Sequence, residues 1–272
     1  MSQIKRTHAR KIFKDYFGHE NHYLITILIG LDYIEKNDIQ CPVDFSTSWK
    51  PDNKKYSAIK SREFCLKSFL ASAVDGLDLY ISELNREPRY YTNEKFVNDI
   101  FNAKRSVYEK VESVGINLVV DKTVLGLCIL LITIRNNLLH SMANNTFPKE
   151  YLDHLILNKE TIKENYCRLD IERLLVKTSG QICPTFKEVA SLIRATQKFV
   201  EIVDGEIIKR IDKMYFENAL EWYFRKNEET YLKFANSTTE RRKKLIENIF
   251  QNRFSFAKEE IIISTRMMNY KK

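Results

Sequence analysis

Residues 124–140 read VLGLCILLITIRNNLLH, and this stretch decides the fold of the chain. The part from Val124 to Ile134 carries no charge, which predicts a helix buried on all sides. Its end is polar, with Arg135, Asn136, Asn137 and His140. Such groups must be paired or functional, because burying a polar group unpaired costs roughly 2–7 kcal/mol. On a helix that continues to His140, Asn136 and His140 share a face, so the stretch predicts a compact polar site.

The scarcity of turn-forming residues sets the fold class. The chain has 272 residues but only 7 glycines and 5 prolines. A many-stranded β fold needs turn residues at every hairpin, so this composition argues against one. The length allows one substantial core or two small ones, and a hydrophobic content of 44% is ordinary for a globular protein. We therefore predict an all-α fold.

Hydrophobic periodicity predicts the order of the helices. Apolar side chains recur at helical spacing in residues 56–86, and Pro88 follows the end of that segment. Asp121 is placed to cap the helix that leads to the polar site, whereas Gly115 and Gly205 are placed to stop or interrupt helices. The other segments that we predict as helical are 9–36, 94–114, 149–158, 159–178, 184–203, 207–234 and a final helix containing residues 241–244.

The charge of the chain favours polyanionic partners. The net charge is +8 and the isoelectric point is about 9.1. The 5 cysteines are scattered and form no Cys-x-x-Cys pair, which fits free thiols in a reducing compartment. No segment reaches the roughly 18 uncharged residues of a membrane span, and the basic N-terminus leads to no signal-like cleavage site. We therefore expect a cytoplasmic protein that does not contact a membrane.

The polar end of the apolar stretch resembles the hallmark motif of the HEPN superfamily. That motif consists of an arginine, a polar residue, a few further positions and a histidine, which are here Arg135, Asn136 and His140. The resemblance extends more loosely to an earlier helix and to a later amphipathic stretch. It implies a HEPN-like helical bundle over residues 56–205, with an N-terminal helical extension over 1–55 and a C-terminal one over 206–272.

The resemblance also implies an endoribonuclease that uses no metal and no other cofactor. Such a reaction needs a base for the ribose 2′-hydroxyl, positive charge at the scissile phosphate and an acid for the leaving oxygen. His140 suits the proton transfers because the unperturbed pKa of histidine is about 6.5. Arg135 suits the phosphate because a guanidinium binds it bidentately and stays charged. Asn136 would orient the imidazole or donate to a phosphate oxygen, and the products would carry 2′,3′-cyclic phosphates.

The partners expected from the resemblance are RNA and a second copy of the chain. One histidine cannot easily act as both acid and base in one turnover, and HEPN proteins resolve this by dimerising around a composite active site. We therefore expect a homodimer. Proteins resembling this one commonly act as toxins or in anti-phage defence by cutting cellular RNA, which implies an antitoxin or another regulatory protein as a further partner.

Several other residues are weaker candidates. Ser72, Asp75, Asn137 and Ser141 are candidates to line the same pocket, with Ser72 and Asp75 accepting hydrogen bonds from His140 or Arg135. Residues Arg241, Arg242, Lys243 and Lys244 are candidates to contact RNA phosphates, although a solvated helix face is the commoner explanation of such a run. The aromatic residues from Tyr215 to Tyr231 could stack on bases, but their helical spacing favours a core or a dimer interface. His19 and His22 lack the further ligands of a metal site.

Two alternatives to the nuclease remain open. The first is a non-catalytic module of the same fold that binds nucleic acid, a nucleotide or a partner protein. The second is an unrelated helical scaffold in which His140 is structural and Arg135 forms an ion pair with Asp75 or Asp78. Nucleotide-binding loops rich in glycine, serine hydrolase elbows and the His-Glu-x-x-His zinc motif are all missing from the sequence, which excludes those classes of enzyme.

Overall fold

The chain is all-α, as predicted. The computed structural model describes residues 4–37, 39–40, 42, 44, 47–140, 145–211 and 214–271, and no strand occurs among them. The α-helices are α1 (His8–Lys36), α2 (Lys54–Leu84), α3 (Glu94–Asn102), α4 (Val107–Asn117), α5 (Lys122–Leu139), α6 (Lys149–Leu157), α7 (Lys159–Asn165), α8 (Ile171–Ser179), α9 (Phe186–Lys209), α10 (Tyr215–Lys226), α11 (Glu228–Ala235), α12 (Thr239–Phe254) and α13 (Thr265–Met268), with a short 3-10 helix at Lys258–Glu260.

The helices form two compact units, each assembled from separated parts of the sequence. Unit 1 comprises Met1–Lys14, Asp78–Val120 and Val200–Lys272. Unit 2 comprises Asp15–Leu77 and Asp121–Phe199. These limits do not coincide with the linear boundaries near residues 55 and 205 that the sequence suggested, because long helices contribute different parts of their length to different units.

Helix α5 is the core of unit 2. Asp121 caps it as predicted, since its carboxylate accepts the backbone N–H groups of Thr123 and Val124. Every residue from Val124 to Ile134 is buried. The helix is long and apolar enough to cross a membrane, but a core helix has the same composition, and here its apolar residues pack against protein.

Helices α1 and α2 pack closely against each other in unit 2. The rings of Phe17 and Phe69 have centroids 5.9 Å apart. A Cβ atom added to Gly76 would lie 3.1 Å from the ring of Phe17, so the missing side chain permits this close approach. Asp75, next to Gly76 on α2, is exposed and faces the end of α5.

The core of unit 1 contains a buried carboxylate and an aromatic cluster. Asp204 is completely buried, and it accepts hydrogen bonds from the hydroxyl and the N–H group of Thr7 and pairs with Arg10 at 3.6 Å. Among the aromatic residues predicted as core or interface, Tyr215, Phe216 and Phe224 are buried. The others in this series, Trp222, Tyr223 and Tyr231, are only half-buried.

The sequence predicted one helix over residues 94–114, where the structure has two. Lys104 adopts a left-handed backbone with φ of 49°, which ends α3. Ser106 then accepts a hydrogen bond from the Glu109 N–H group and begins α4. Gly115 lies within α4, so it is not the predicted stop.

Three further helix predictions were wrong in similar ways. Gly205 does not interrupt a helix, because α9 continues through it to Lys209. The segment 159–178 divides into α7 and α8, where Asp170 accepts the Arg173 N–H group as a new N-cap. The segment 207–234 contains the end of α9 and the separate helices α10 and α11.

Candidate functional site

Arg135 lies where the buried part of α5 ends. One of its terminal nitrogens, Nη1, donates to Asn136 Oδ1 at 2.9 Å, and the other, Nη2, contacts Asp75 Oδ1 at 3.3 Å. Its side chain is 20% exposed, whereas that of Asp75 is 65% exposed. The Nε atom is buried and has no hydrogen-bond partner among the residues that the structure describes. Two contacts use only part of the five N–H donors of a guanidinium, so Arg135 retains donors for a further acceptor.

The pair with Asp75 decides between the two ion pairs that the sequence allowed. Asp75 contacts Arg135, while Asp78 belongs to unit 1 and pairs with Lys110 at 2.5 Å. An ion pair with such an exposed carboxylate contributes roughly 0–1 kcal/mol. A phosphate can therefore replace Asp75 at Arg135 at little cost.

His140 is exposed and follows the last helical residue, Leu139. Its N–H group donates to the Asn136 carbonyl at 3.1 Å, but its own backbone is extended, with φ of −109° and ψ of 102°. The prediction that Asn136 and His140 share a helical face was therefore wrong, because the helix does not continue to His140. The ring makes no hydrogen bond with any residue that the structure describes, which leaves both nitrogens available for proton transfer.

Asn137 was predicted to line the pocket, but its side chain has a structural role instead. It is buried, and its Oδ1 atom accepts the Asn145 N–H group at 2.8 Å while its Nδ2 atom donates to the Asn145 carbonyl at 3.0 Å. These two bonds join the end of α5 to the segment before α6. Ser141, the other predicted neighbour of His140, lies outside the described residues.

The candidate pocket residue Ser72 contacts a tyrosine that the sequence did not indicate. Ser72 hydrogen-bonds with Tyr16 of α1, and the charges of Glu20 and Asp75 lie near the same phenol. Burial, with a smaller effect from these two carboxylates, raises the pKa of Tyr16 above its ordinary value despite the opposing bond with Ser72. The site thus consists of an arginine, an asparagine and a histidine at the end of α5, bordered by Asp75, Ser72 and Tyr16.

Among the four basic residues at positions 241–244 of α12, Arg242 differs from the other three in its contacts. The guanidinium of Arg242 donates to the carbonyls of Phe234, Ala235 and Met268 at 3.1, 2.7 and 3.1 Å. It also lies 5.1 Å from the centre of the Phe234 ring. These bonds give Arg242 a structural role at the end of α11, and its contact with RNA stays a prediction. The side chains that remain exposed are Arg241, Lys243 and Lys244.

The described part of the chain contains no group of three or more His, Cys, Asp or Glu side chains placed to hold a metal ion. Its cysteines, Cys65, Cys128, Cys167 and Cys183, are free thiols. Burial raises the pKa of Cys128 to about 12, so that thiol is protonated at neutral pH and inert.

Comparison with known proteins leaves the site to be interpreted from its own chemistry. No protein-family model, no curated protein and no solved structure matches this chain significantly.

Proposed function

We propose that the chain is a metal-independent endoribonuclease of the HEPN type. The observation that carries this proposal is the setting of Arg135 and His140. Arg135 is held at the end of a buried helix by a carboxylate that a phosphate can replace, and His140 is exposed one turn further along the chain. In the proposed reaction Arg135 binds the scissile phosphate, and imidazole groups remove the proton of the 2′-hydroxyl and protonate the leaving 5′-oxygen.

The reaction requires two histidines in different protonation states, so we propose that the active form is a homodimer. An independent feature of unit 2 supports this. The part of α1 from Tyr23 to Leu31 has no charged residue, yet Tyr23, Ile27 and Ile29 are 59%, 46% and 66% exposed. Tyr23 and Ile27 are four residues apart and lie on one face of the helix, which we call the α1 apolar stripe. A helix that is apolar all round is normally buried, and a second copy of the chain would cover this one.

The α1 apolar stripe is continuous with the candidate site. Tyr16, Tyr23 and Ile27 are spaced by seven and four residues, so they lie along one face of α1. Tyr16 is the residue that contacts Ser72 beside Asp75. A second copy docked along the stripe would therefore lie next to the site and could supply the second histidine.

The cellular part of the proposal follows from the resemblance. We propose that the substrate is cellular RNA, that the role is that of a toxin or an anti-phage effector, and that a regulatory protein controls the activity. The exposed side chains of Arg241, Lys243 and Lys244 are candidates for further phosphate contacts, each of which would make binding more sensitive to salt.

Cleavage of RNA by matched variants tests the proposal. Total RNA is incubated with excess chelator and with wild type, Arg135→Ala, His140→Ala or His154→Gln. His154 is the control because it belongs to the same unit and its imidazole hydrogen-bonds with Thr123. Wild type and the control should cleave, and the other two variants should be slower by about 100-fold or more.

The alternative of a non-catalytic binding module rests on the structural uses of the motif. Arg135 does join α5 to α2 through Asp75, and Asn137 does close the segment that follows. If folded, dimeric wild type cleaves no RNA but retains a bound RNA in a filter assay, the binding module replaces the nuclease.

A further inference from the structure

Unit 1 contains a cavity that the proposed nuclease site does not use. Its volume is about 380 Å³, within the range of roughly 300–1,000 Å³ that small-molecule sites occupy. Four segments of unit 1 form its walls: the start of α1, the end of α2 with residues 87–90, helix α10 with Asn227, and the end of α12. The aromatic residues Tyr90, Tyr215, Trp222, Tyr223 and Phe254 line much of it.

Trp222 differs from the other aromatic residues of this wall in its ring contacts. Tyr90 and Tyr215 stack on each other with ring centroids 4.8 Å apart, so the two rings hold each other in place in this wall. Trp222, in contrast, is half-buried and makes no ring contact with another aromatic residue among those described. A planar ligand can therefore stack on its indole.

The positive side of the cavity contains an arginine without an anionic partner. Arg86 pairs with Glu83 at 3.0 Å, whereas Arg253 forms no ion pair with a carboxylate in the described part of the chain. Arg253 is exposed at the rim, and His8 lines the same cavity. A guanidinium in this position can bind a phosphate through two hydrogen bonds.

Two further polar groups of the lining, Asn227 and Glu83, offer acceptors. One N–H of Asn227 Nδ2 donates to the Tyr223 carbonyl at 2.8 Å, and its Oδ1 atom can accept a hydrogen bond from a ligand. Glu83 has one carboxylate oxygen in the pair with Arg86 and a second that accepts no hydrogen bond from a described residue. Acceptors of this kind favour a ligand with an exocyclic amino group.

We propose that this cavity binds a nucleotide with an amino-bearing base, stacked on Trp222 with its phosphate at Arg253. Glu83 and Asn227 would accept the amino hydrogens of adenine, cytosine or guanine, whereas uracil offers no such group. The nucleotide can be a free monophosphate or a residue of an RNA chain. The inference does not depend on nuclease activity, since the cavity contains neither Arg135 nor His140.

Tryptophan fluorescence tests this binding directly. The full chain has 2 tryptophans, and the other one, Trp49, is 90% exposed. In a Trp49→Phe background the remaining signal comes from Trp222. Titration with AMP, CMP or GMP should quench it and saturate, while UMP should bind at least tenfold more weakly and inorganic phosphate alone should not quench it. A short oligoadenylate distinguishes a free nucleotide from a residue of RNA, according to which of the two binds more tightly.

Two variants connect binding to the proposed contacts. Arg253→Gln should raise the dissociation constant for AMP roughly tenfold. Arg105→Gln, which removes an exposed charge from the same unit outside the cavity, should leave it unchanged. His140→Ala should also bind AMP normally, so the failure of the nuclease proposal would not affect this result. The inference is overturned if no nucleotide or oligoadenylate quenches Trp222, or if Arg253→Gln and Arg105→Gln bind AMP equally well.

Discussion

The two arginines that the sequence singled out, Arg135 and Arg242, bind different kinds of acceptor. Arg242 directs its donors to three backbone carbonyls, which no substrate can displace without disturbing a helix end. Arg135 donates to one exposed carboxylate and to the amide of Asn136. Because an exposed carboxylate is easily replaced and a helix end is not, only Arg135 is suited to a substrate phosphate.

Arg242 should matter for stability. Arg242→Lys would lose the planar arrangement of donors and keep at most one of the three carbonyl bonds, so we expect the free energy of unfolding to fall by about 2 kcal/mol. Urea denaturation followed by circular dichroism measures the difference. Arg241→Lys, an exposed neighbour, should change it by less than about 0.5 kcal/mol. Equal effects in the two variants would contradict the role given to Arg242.

Asp204 should make stability depend on pH in an unusual direction. Burial raises the pKa of its carboxyl above the ordinary value, although the bonds from Thr7 and the charge of Arg10 oppose this. The folded state therefore holds this proton more tightly than the unfolded chain does. The contribution is most favourable below the unfolded pKa of about 3.9, and it is lost as the pH rises through the folded pKa.

Comparison with Asp204→Asn isolates this effect, because the variant cannot titrate at that position. Urea denaturation of both proteins at several pH values from 4 to 7 gives the difference in their free energies of unfolding. Wild type should lose stability relative to the variant as the pH rises. A relative gain would mean that Arg10 and Thr7 lower the pKa of Asp204 below its ordinary value.

At the level of the elements, the sequence predicted what depends on local patterns. The buried run before Arg135 identified α5, and Asp121 marked its beginning, because an uncharged run and a capping side chain are local signals. The breaks at Ser106 and Asp170 were missed, although both are capping residues, because the periodicity of the flanking segments continued across them. Gly205 was taken as an interruption, but α9 continues through it, and the helical residues Val203 and Ile207 before and after it are buried.

The candidate site was predicted in part for the same reason. Arg135, Asn136 and His140 follow one another in the sequence, so their proximity could be inferred. The contact of Ser72 with Tyr16 could not, because it depends on how α1 packs against α2. The end of α5 at Leu139 was also missed, since Leu138 and Leu139 continue the apolar pattern of the helix while the backbone becomes extended at His140.

The cap of α5 gives a test at this scale. Asp121→Ala leaves the N–H groups of Thr123 and Val124 without their acceptor, so the free energy of unfolding should fall by about 1 kcal/mol. Thermal unfolding monitored by circular dichroism measures this. Asp153→Ala, which removes an exposed carboxylate from α6, should have no measurable effect. If Asp121→Ala does not change the free energy of unfolding, packing alone determines where α5 begins.

At the level of the whole molecule, the α1 apolar stripe should determine the oligomeric state. Ile27→Glu would place an unpaired charge in the proposed interface and weaken dimerisation roughly 100-fold. Leu157→Glu is the control, because Leu157 belongs to the same unit and is 83% exposed outside the stripe. Light scattering after gel filtration should give a dimer for wild type and the control and a monomer for Ile27→Glu. A monomeric wild type would remove the basis for a composite site.

The most direct test of the central claim is the chemistry of the RNA ends. A labelled RNA with a mapped cleavage site is incubated with wild type in excess chelator, beside the same RNA with a single 2′-deoxy substitution at that site. We predict that wild type leaves 2′,3′-cyclic phosphate ends on the first RNA and does not cleave the second at that position. His140→Ala should cleave neither RNA there. Cleavage of the deoxy RNA, 3′-hydroxyl ends, or full activity of His140→Ala would contradict the account.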